Sequence, residues 1–233
     1  MDQIVEVQDK PARADFIRAR GVRLPMDPAI LTPRLRNSLR NGTYERAAAD
    51  VLPRMLISDD VLIELGGGIG FLSTLAAKKV KSVHAFEANA DLTPYAERVF
   101  EANGIENAQM RNVVLGAKKT KVPFYLRRNM LTSSLRPLEG ETDVTEQSVP
   151  MVNARTVMKE IKPTVMLCNI EGAEDETIAG IDLSGLRAAL VMLHPRSIGS
   201  KGVAAIFAAM AEAGLTYFPR RSAGKLVCFR RDW

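Results

Sequence analysis

The run Val61-Leu62-Ile63-Glu64-Leu65-Gly66-Gly67-Gly68-Ile69-Gly70-Phe71-Leu72 restricts the fold of this chain more than any other stretch. Its apolar residues and acid predict a short buried strand, and the glycines predict a tight turn into a helix. A residue without Cβ is needed where the backbone takes a positive φ and comes within contact distance of a ligand. Which ligand depends on the spacing. A dinucleotide fingerprint places glycines first, third and sixth, but the sixth position from Gly66 is Phe71, whose ring obstructs close helix–strand packing. No Lys-Ser or Lys-Thr follows, which removes the P-loop.

A second feature supports a nucleoside site. Val83-His84-Ala85-Phe86 predicts the next strand, and it ends in Glu87. An acid about twenty residues beyond the glycine loop is where a βαβ unit presents a carboxylate to two ribose hydroxyls. Residues 109–115 predict a third strand, on which Asn112 is a candidate for the adenine edge or an ordinary strand-end amide. Residues 165–169 and 189–193 predict the fourth and fifth strands. Residues 203–213 predict a helix stopped by Gly214, and 215–218 pair with 226–229.

The remaining elements follow from punctuation. Residues 11–20 are helix-compatible, and 21–33, broken by Pro25, Pro28 and Pro33, predict an extended connector. Residues 44–57 repeat apolar positions at helical spacing, with Pro53 expected to kink or split the helix. Residues 72–79 predict a helix covering the sheet. Thr93 is a candidate cap for the next one, with Pro94 in its first turn and Asn103-Gly104 at its end. Residues 121–126 suit one arm of a hairpin. Residues 127–148 are polar and longer than an inert connection, which suggests a lid.

Composition narrows the class. A chain of 233 residues with 46% hydrophobic residues suits one α/β domain. No apolar run reaches the length of a membrane span, and the first ten residues lack a signal peptide's pattern, so a cytoplasmic protein with no membrane partner is expected. Cys168 and Cys228 lie in apolar runs far apart, as buried thiols do, and no metal is expected. The net charge is +5. Arginines gather near both ends, but they are not interleaved with aromatics, which argues against a nucleic-acid partner.

Four segments in order resemble the FkbM family of class I S-adenosylmethionine-dependent methyltransferases. They are Glu64-x-Gly66-x-Gly68-x-Gly70, Ala85-Phe86-Glu87-Ala88-Asn89, Ile170-Glu171-Gly172-Ala173-Glu174 and Leu193-His194-Pro195. Gly42-Thr43-Tyr44-Glu45 and Ser133-Ser134-Leu135 match further segments, and the resemblance covers residues 42–230. It implies an α/β fold of the Rossmann-like class I methyltransferase type. The sheet would be mostly parallel and seven-stranded, with a terminal antiparallel strand pair; the N-terminal helical arm that precedes it is read from the helix-compatible spacing of its residues and lies mostly outside the resemblance. The arm would occupy residues 1–57 and the methyltransferase domain 58–233.

The implied cofactor is S-adenosylmethionine, held by Tyr44, Glu64, Gly66, Gly68, Gly70, Glu87 and Asn112. Methyl transfer from a sulfonium requires two reactants in contact and removal of a proton from the acceptor. Glu171 ranks first as the base and His194 second, with Asn169 orienting the acceptor. The plainer readings are a helix cap for Glu171 and a strand-end histidine for His194. Two departures from the family pattern, Asn169 where it usually has Asp and Met192 where it often has Glu, remove carboxylates near the centre. A metal-assisted variant through Asn169, Glu171 and His194 lacks a diagnostic spacing.

The resulting expectation is O-methylation of a small-molecule or sugar hydroxyl, with homo-oligomerisation left open. A nucleic-acid methyltransferase is weakened by the absence of an Asp/Asn-Pro-Pro-aromatic element after the fourth strand. A cofactor-binding protein without catalysis is the third reading.

Overall fold

Alternating burial, rather than helical spacing, governs the first residues described. The computed structural model of the protein describes residues 16–137 and 140–232. Phe16–Ala19 (β1) and Val22–Pro25 (β2) form an antiparallel hairpin, with Ile17, Ala19, Val22 and Leu24 buried beneath it. The helix expected over 11–20 is thus corrected at 16–20; residues 11–15 lie outside the described residues. Arg20 and Gly21 hold φ of 50° and 77°, the doubly left-handed turn that matches strand twist in a two-residue hairpin. The sequence reading lacked the next helix, Pro33–Arg40 (α1), which Thr32 caps by accepting from the Leu35 amide at 3.2 Å. Arg46–Met55 (α2) is one helix, not two: it ends two residues past Pro53, so the missing donor falls in its last turn.

The central strands then alternate with helices: Val61–Leu65 (β3), Phe71–Ala77 (α3), Ser82–Phe86 (β4), Leu92–Ala102 (α4) and Ala108–Arg111 (β5). Asp91, not Thr93, occupies the cap position of α4, and Thr93 sits inside its first turn. The third strand expected over 109–115 is two strands. After β5 the chain leaves the main sheet, and Val114–Gly116 (β6) starts a small mixed one with Thr120–Arg127 (β7) and Val144–Asn153 (β8). Ala154–Ile161 (α5) leads back to Val165–Cys168 (β9), Glu174–Ala179 (α6) and Ala188–Met192 (β10). Pro195–Glu212 (α7) starts earlier than expected and is interrupted at Gly199, whose φ is 66°. Thr216–Tyr217 (β11) and Leu226–Arg230 (β12) close the chain.

The main sheet has seven strands in the order β11-β12-β10-β9-β3-β4-β5. Strands β10, β9, β3, β4 and β5 run parallel, and β12 is antiparallel to both its neighbours. Every residue of β9 is buried, as befits a parallel strand with helices on both faces. Winding from β3 goes one way to β4 and β5 and the other way to β9 and β10. The crevice at the carboxyl ends of β3, β4 and β9 is therefore the switch point where open α/β sheets place ligands.

The opposite end of the sheet is tied down by charge. Asp60, 1% exposed, accepts from Arg187 Nε at 2.7 Å and from the Thr164 hydroxyl at 2.8 Å. Burial opposes its ionisation, yet the bonds from Arg187, the Ile57 amide and Thr164 hold the carboxyl below its ordinary value. The entries to β3, β9 and β10 are thereby locked together, and the crevice is built on a fixed base.

Candidate active site

At the end of β3 the backbone turns sharply. The amides of Gly66 and Gly67 both donate to Phe86 O, at 2.9 and 3.1 Å, so the loop is bound to the end of β4. Gly66, Gly68 and Gly70 all have positive φ. Their roles differ. A Cβ on Gly66 would stand 1.9 Å from the Asn169 carbonyl oxygen, whereas one on Gly68 would meet nothing closer than Tyr44 Oη at 3.7 Å. Gly66 is therefore required for loop-to-strand contact, and Gly68 opens on the cavity. Gly70 begins α3 and packs against Ala96 of α4 without lining the cavity.

The cavity beyond the loop encloses about 900 Å³ outside the protein atoms, part of it open solvent. Tyr44, Glu64, Gly66, Gly68, Glu87, Asn169 and Glu171 all line it. Glu87 is 8% exposed. Its Oε2 accepts from the Gly68 amide and its Oε1 from the Asn89 amide, each at 2.8 Å. Burial raises its proton affinity, and the amides of Asn89, Gly68 and Ala88 oppose the rise. Asn112 does not line the cavity; its Nδ2 donates to the carbonyls of Glu87 and Ala88 at 2.9 and 3.0 Å, holding the segment that carries the acid.

Glu64, on β3, is 1% exposed and accepts from the Ser73 hydroxyl. Burial, with the nearby charges of Glu45 and Glu87, pushes its carboxyl up to about 8 against the opposing Ser73 bond. The Tyr44 ring packs against Phe71 in a tilted pair, centroids 5.5 Å apart, and burial among Glu45, Glu64, Glu87 and Glu171 keeps its phenol protonated.

A second group gathers where β9 ends. Asn169 Nδ2 donates to Glu45 Oε1 at 3.1 Å, so a carboxylate from the start of α2 reaches the centre that Asn169 itself leaves uncharged. Burial and the neighbouring Glu171 raise the Glu45 carboxyl. Glu45 and Glu171 have φ of 46° and 52°. Such left-handed non-glycine backbone costs on the order of 1–3 kcal/mol and gathers at functional sites.

His194, following β10, does not line the cavity itself. Its Nδ1 lies 2.6 Å from Glu174 Oε1 and its Nε2 lies 3.3 Å from Glu171 Oε2. Burial disfavours the imidazolium, but bonds to and charge on Glu171 and Glu174 outweigh it and lift the ring to about 9. The folded state gains this stabilisation below about pH 6.5 and loses it as pH rises through about 9. A ring already protonated at neutral pH takes no further proton, which separates Glu171 and His194 as candidate bases.

The remaining wall comes from the segment after β7. A 3-10 turn, Met130–Thr132, and residues 133–135 lean over the cavity. Arg136 anchors them, its Nη2 donating to Asp175 and Glu176 at 2.8 Å and its Nη1 to Ser197 O at 3.2 Å. The polar stretch expected over 127–148 thus includes part of the site. Sequence reading missed the roles of Glu45 and Glu174, although both stand in the quoted segments. Among the described residues no group of three or more His, Cys, Asp or Glu side chains is arranged to hold a metal ion, and no helix is long and apolar enough to cross a membrane.

The strand order with reversed β12, the glycine turn after the first central strand and the acid after the second define a Rossmann-like class I methyltransferase fold. No family model matches the chain. An uncharacterised protein of Methanocaldococcus jannaschii is 38% identical over 69 residues, which are 29% of this chain and 27% of that protein. Among solved structures, TYW2 of M. jannaschii in complex with AdoMet is similar at 12% identity, over 92% of this chain and 85% of its own, with a TM-score of 0.48. An rRNA methylase of Streptococcus thermophilus is similar at 12% identity, over 80% and 95%, with a TM-score of 0.46. Methyltransferase FkbM of Methylobacillus flagellatus is similar at 14% identity, over 75% and 44%, with a TM-score of 0.49. The fold class rests on the strand order and site, not on these scores. The expectation against a nucleic-acid partner draws no support from the comparisons.

Proposed function

We propose that this chain is an S-adenosylmethionine-dependent methyltransferase of FkbM type that methylates a hydroxyl of a small molecule or sugar. The observation that carries the reading is the pairing of Gly68 with Glu87. The amide of an open glycine turn donates to a buried carboxylate at 2.8 Å, and both residues line the same cavity. The residues fit the cofactor. Glu87 offers acceptors for adjacent ribose hydroxyls, Gly66 and Gly68 clear the loop, Tyr44 walls it and Asn112 steadies the Glu87 segment. Glu64 offers a carboxyl to a cationic group. When bound, the cofactor supplies an electrophilic methyl group for in-line displacement.

The chain's own work is to position the acceptor and accept its proton. Glu171 is the base in this reading, because it lines the cavity and His194 is already protonated at neutral pH. Asn169 and Glu45 orient the acceptor from the β9 side. The arm of residues 16–57 belongs to the same unit, since Ile17, Leu24, Leu35 and Leu52 share one core with Leu62 of β3.

Incubation with S-adenosylmethionine labelled in its methyl group and a cell extract should label a small product whose new methyl ether resists mild base. A labelled nucleic acid would replace the acceptor class. Absence of label from every fraction would leave only cofactor binding.

A further inference from the structure

Glu174 has no part in cofactor binding as derived above, yet it is the most thoroughly buried carboxyl group near the site, at 0% exposure. A single oxygen, Oε1, accepts both the Gly172 amide at 2.9 Å and His194 Nδ1 at 2.6 Å. Its other oxygen has no partner among the described residues. Burying a carboxyl group in this way is costly unless an opposite charge accompanies it. The ring of His194 is that charge.

We infer that Glu174 is a positioning residue: from the start of α6 it holds His194 by Nδ1 and so presents a second ring N–H, on Nε2, to the Glu171 carboxylate at the cavity wall. The inference rests on the proposed role of Glu171 as base. Its logic is one of donors. An imidazolium donates from both nitrogens, and both of its neighbours here are acceptors. A neutral ring that gave its one N–H to Glu174 would turn a lone pair toward Glu171 Oε2, and the two would repel. Glu171, already in left-handed backbone, would then lose the contact that aims its carboxylate.

The other groups around the ring do not supply this control. Glu45 faces it from the start of α2 and is itself affected by the ring's charge. Arg136, from the segment after β7, pairs its guanidinium with Asp175 and Glu176. Cys168, beneath Glu174, is held as a neutral thiol by burial and by that carboxyl. Glu171 and Glu174 are the two carboxyl groups on the ring nitrogens.

The chain has only two histidines. His84 is displaced in the opposite direction, below its ordinary value, by burial and by Arg111, so the two ring signals titrate apart in nuclear magnetic resonance. In Glu174→Gln the Gly172 amide still fixes an oxygen toward Nδ1, while the charge is gone. The His194 midpoint should fall from about 9 by roughly two units or more. The high-pH decline of turnover should move with it: a loss of about tenfold or more at pH 8, recovered on lowering the pH to 6. Glu174→Asp, which keeps the charge, should retain most of the elevated midpoint.

A midpoint unmoved in Glu174→Gln, or one lowered equally in Glu174→Asp, overturns the proposal. So does a loss of turnover in Glu174→Gln that is the same at pH 6 and pH 8, since that marks a merely structural role. The titration needs no acceptor. Failure to find methyl transfer with the titration as described therefore overturns the proposed function, and the reverse result overturns the positioning role.

Discussion

Glu171→Gln is expected to lower turnover by about 10²–10⁴ while the affinity for S-adenosylmethionine stays nearly unchanged. The substitution keeps the shape of the side chain and removes its ability to take a proton. Because proton removal is felt in the transition state and not in cofactor binding, kcat should fall and Kd should not. The same kinetics also separate the two candidate bases. His194 is lifted to about 9, so if it were the base the wild-type rate would climb with pH through that value as the ring became neutral. If Glu171 is the base and His194 its charged neighbour, the rate should instead decline there. Full turnover in Glu171→Gln, measured with the acceptor found by methyl labelling, would remove Glu171 from the chemistry.

Gly66→Ala should produce the largest structural effect of any single methyl group in the site. Its Cβ would fall 1.9 Å from the Asn169 carbonyl oxygen and 2.9 Å from the carbonyl carbon, both backbone atoms that no rotamer change can move aside. A φ of 83° adds left-handed strain. Overpacking and strain together should cost about 2–5 kcal/mol, or roughly 5–20 °C in Tm for a chain of this size. The control is Gly21→Ala. There φ is 77° and nothing lies within 4 Å of the added atom, so only the strain of about 1–2 kcal/mol should appear. Equal losses of stability in the two variants would show that the contact of the loop with β9 is not as described.

The parts of the fold that could be read directly were those with local signatures. β3, β9 and β10 are short apolar runs because they are buried on both faces, and the glycine turn follows from backbone conformations that few other residues adopt. The N-terminal hairpin was misread because four-residue strands with exposed arginines offer too little alternation to exclude a helix. α1 escaped notice for a related reason, since only Leu35 and Leu39 are buried in a stretch of arginines. The third strand was overextended because 109–115 is continuously strand-compatible, and only tertiary contacts decide that 114–116 pairs with β8 instead.

Site residues divide along the same line. Glu87 was legible from its offset behind the glycines. Asn112 was legible as a polar residue at a strand end, but its use in bonding two backbone carbonyls was not. Glu45 reaches Asn169 across 124 positions in sequence, and no local pattern reports such a meeting. Glu174 stood inside the Glu-Gly-x-Glu element, yet its bond to His194 depends on how β10 and α7 pack against α6.

If the cavity between the glycine turn and Glu87 is a nucleoside site for S-adenosylmethionine, the demethylated product should bind there as well. Calorimetric titration of S-adenosylhomocysteine into the wild-type chain and into Glu87→Ala tests it most directly. One site per chain is expected, with affinity reduced about ten- to a hundredfold in the variant through loss of charge-assisted bonds worth roughly 1.5–3 kcal/mol. Absence of binding to the folded wild-type chain, or equal affinity in a folded Glu87→Ala protein, would contradict it.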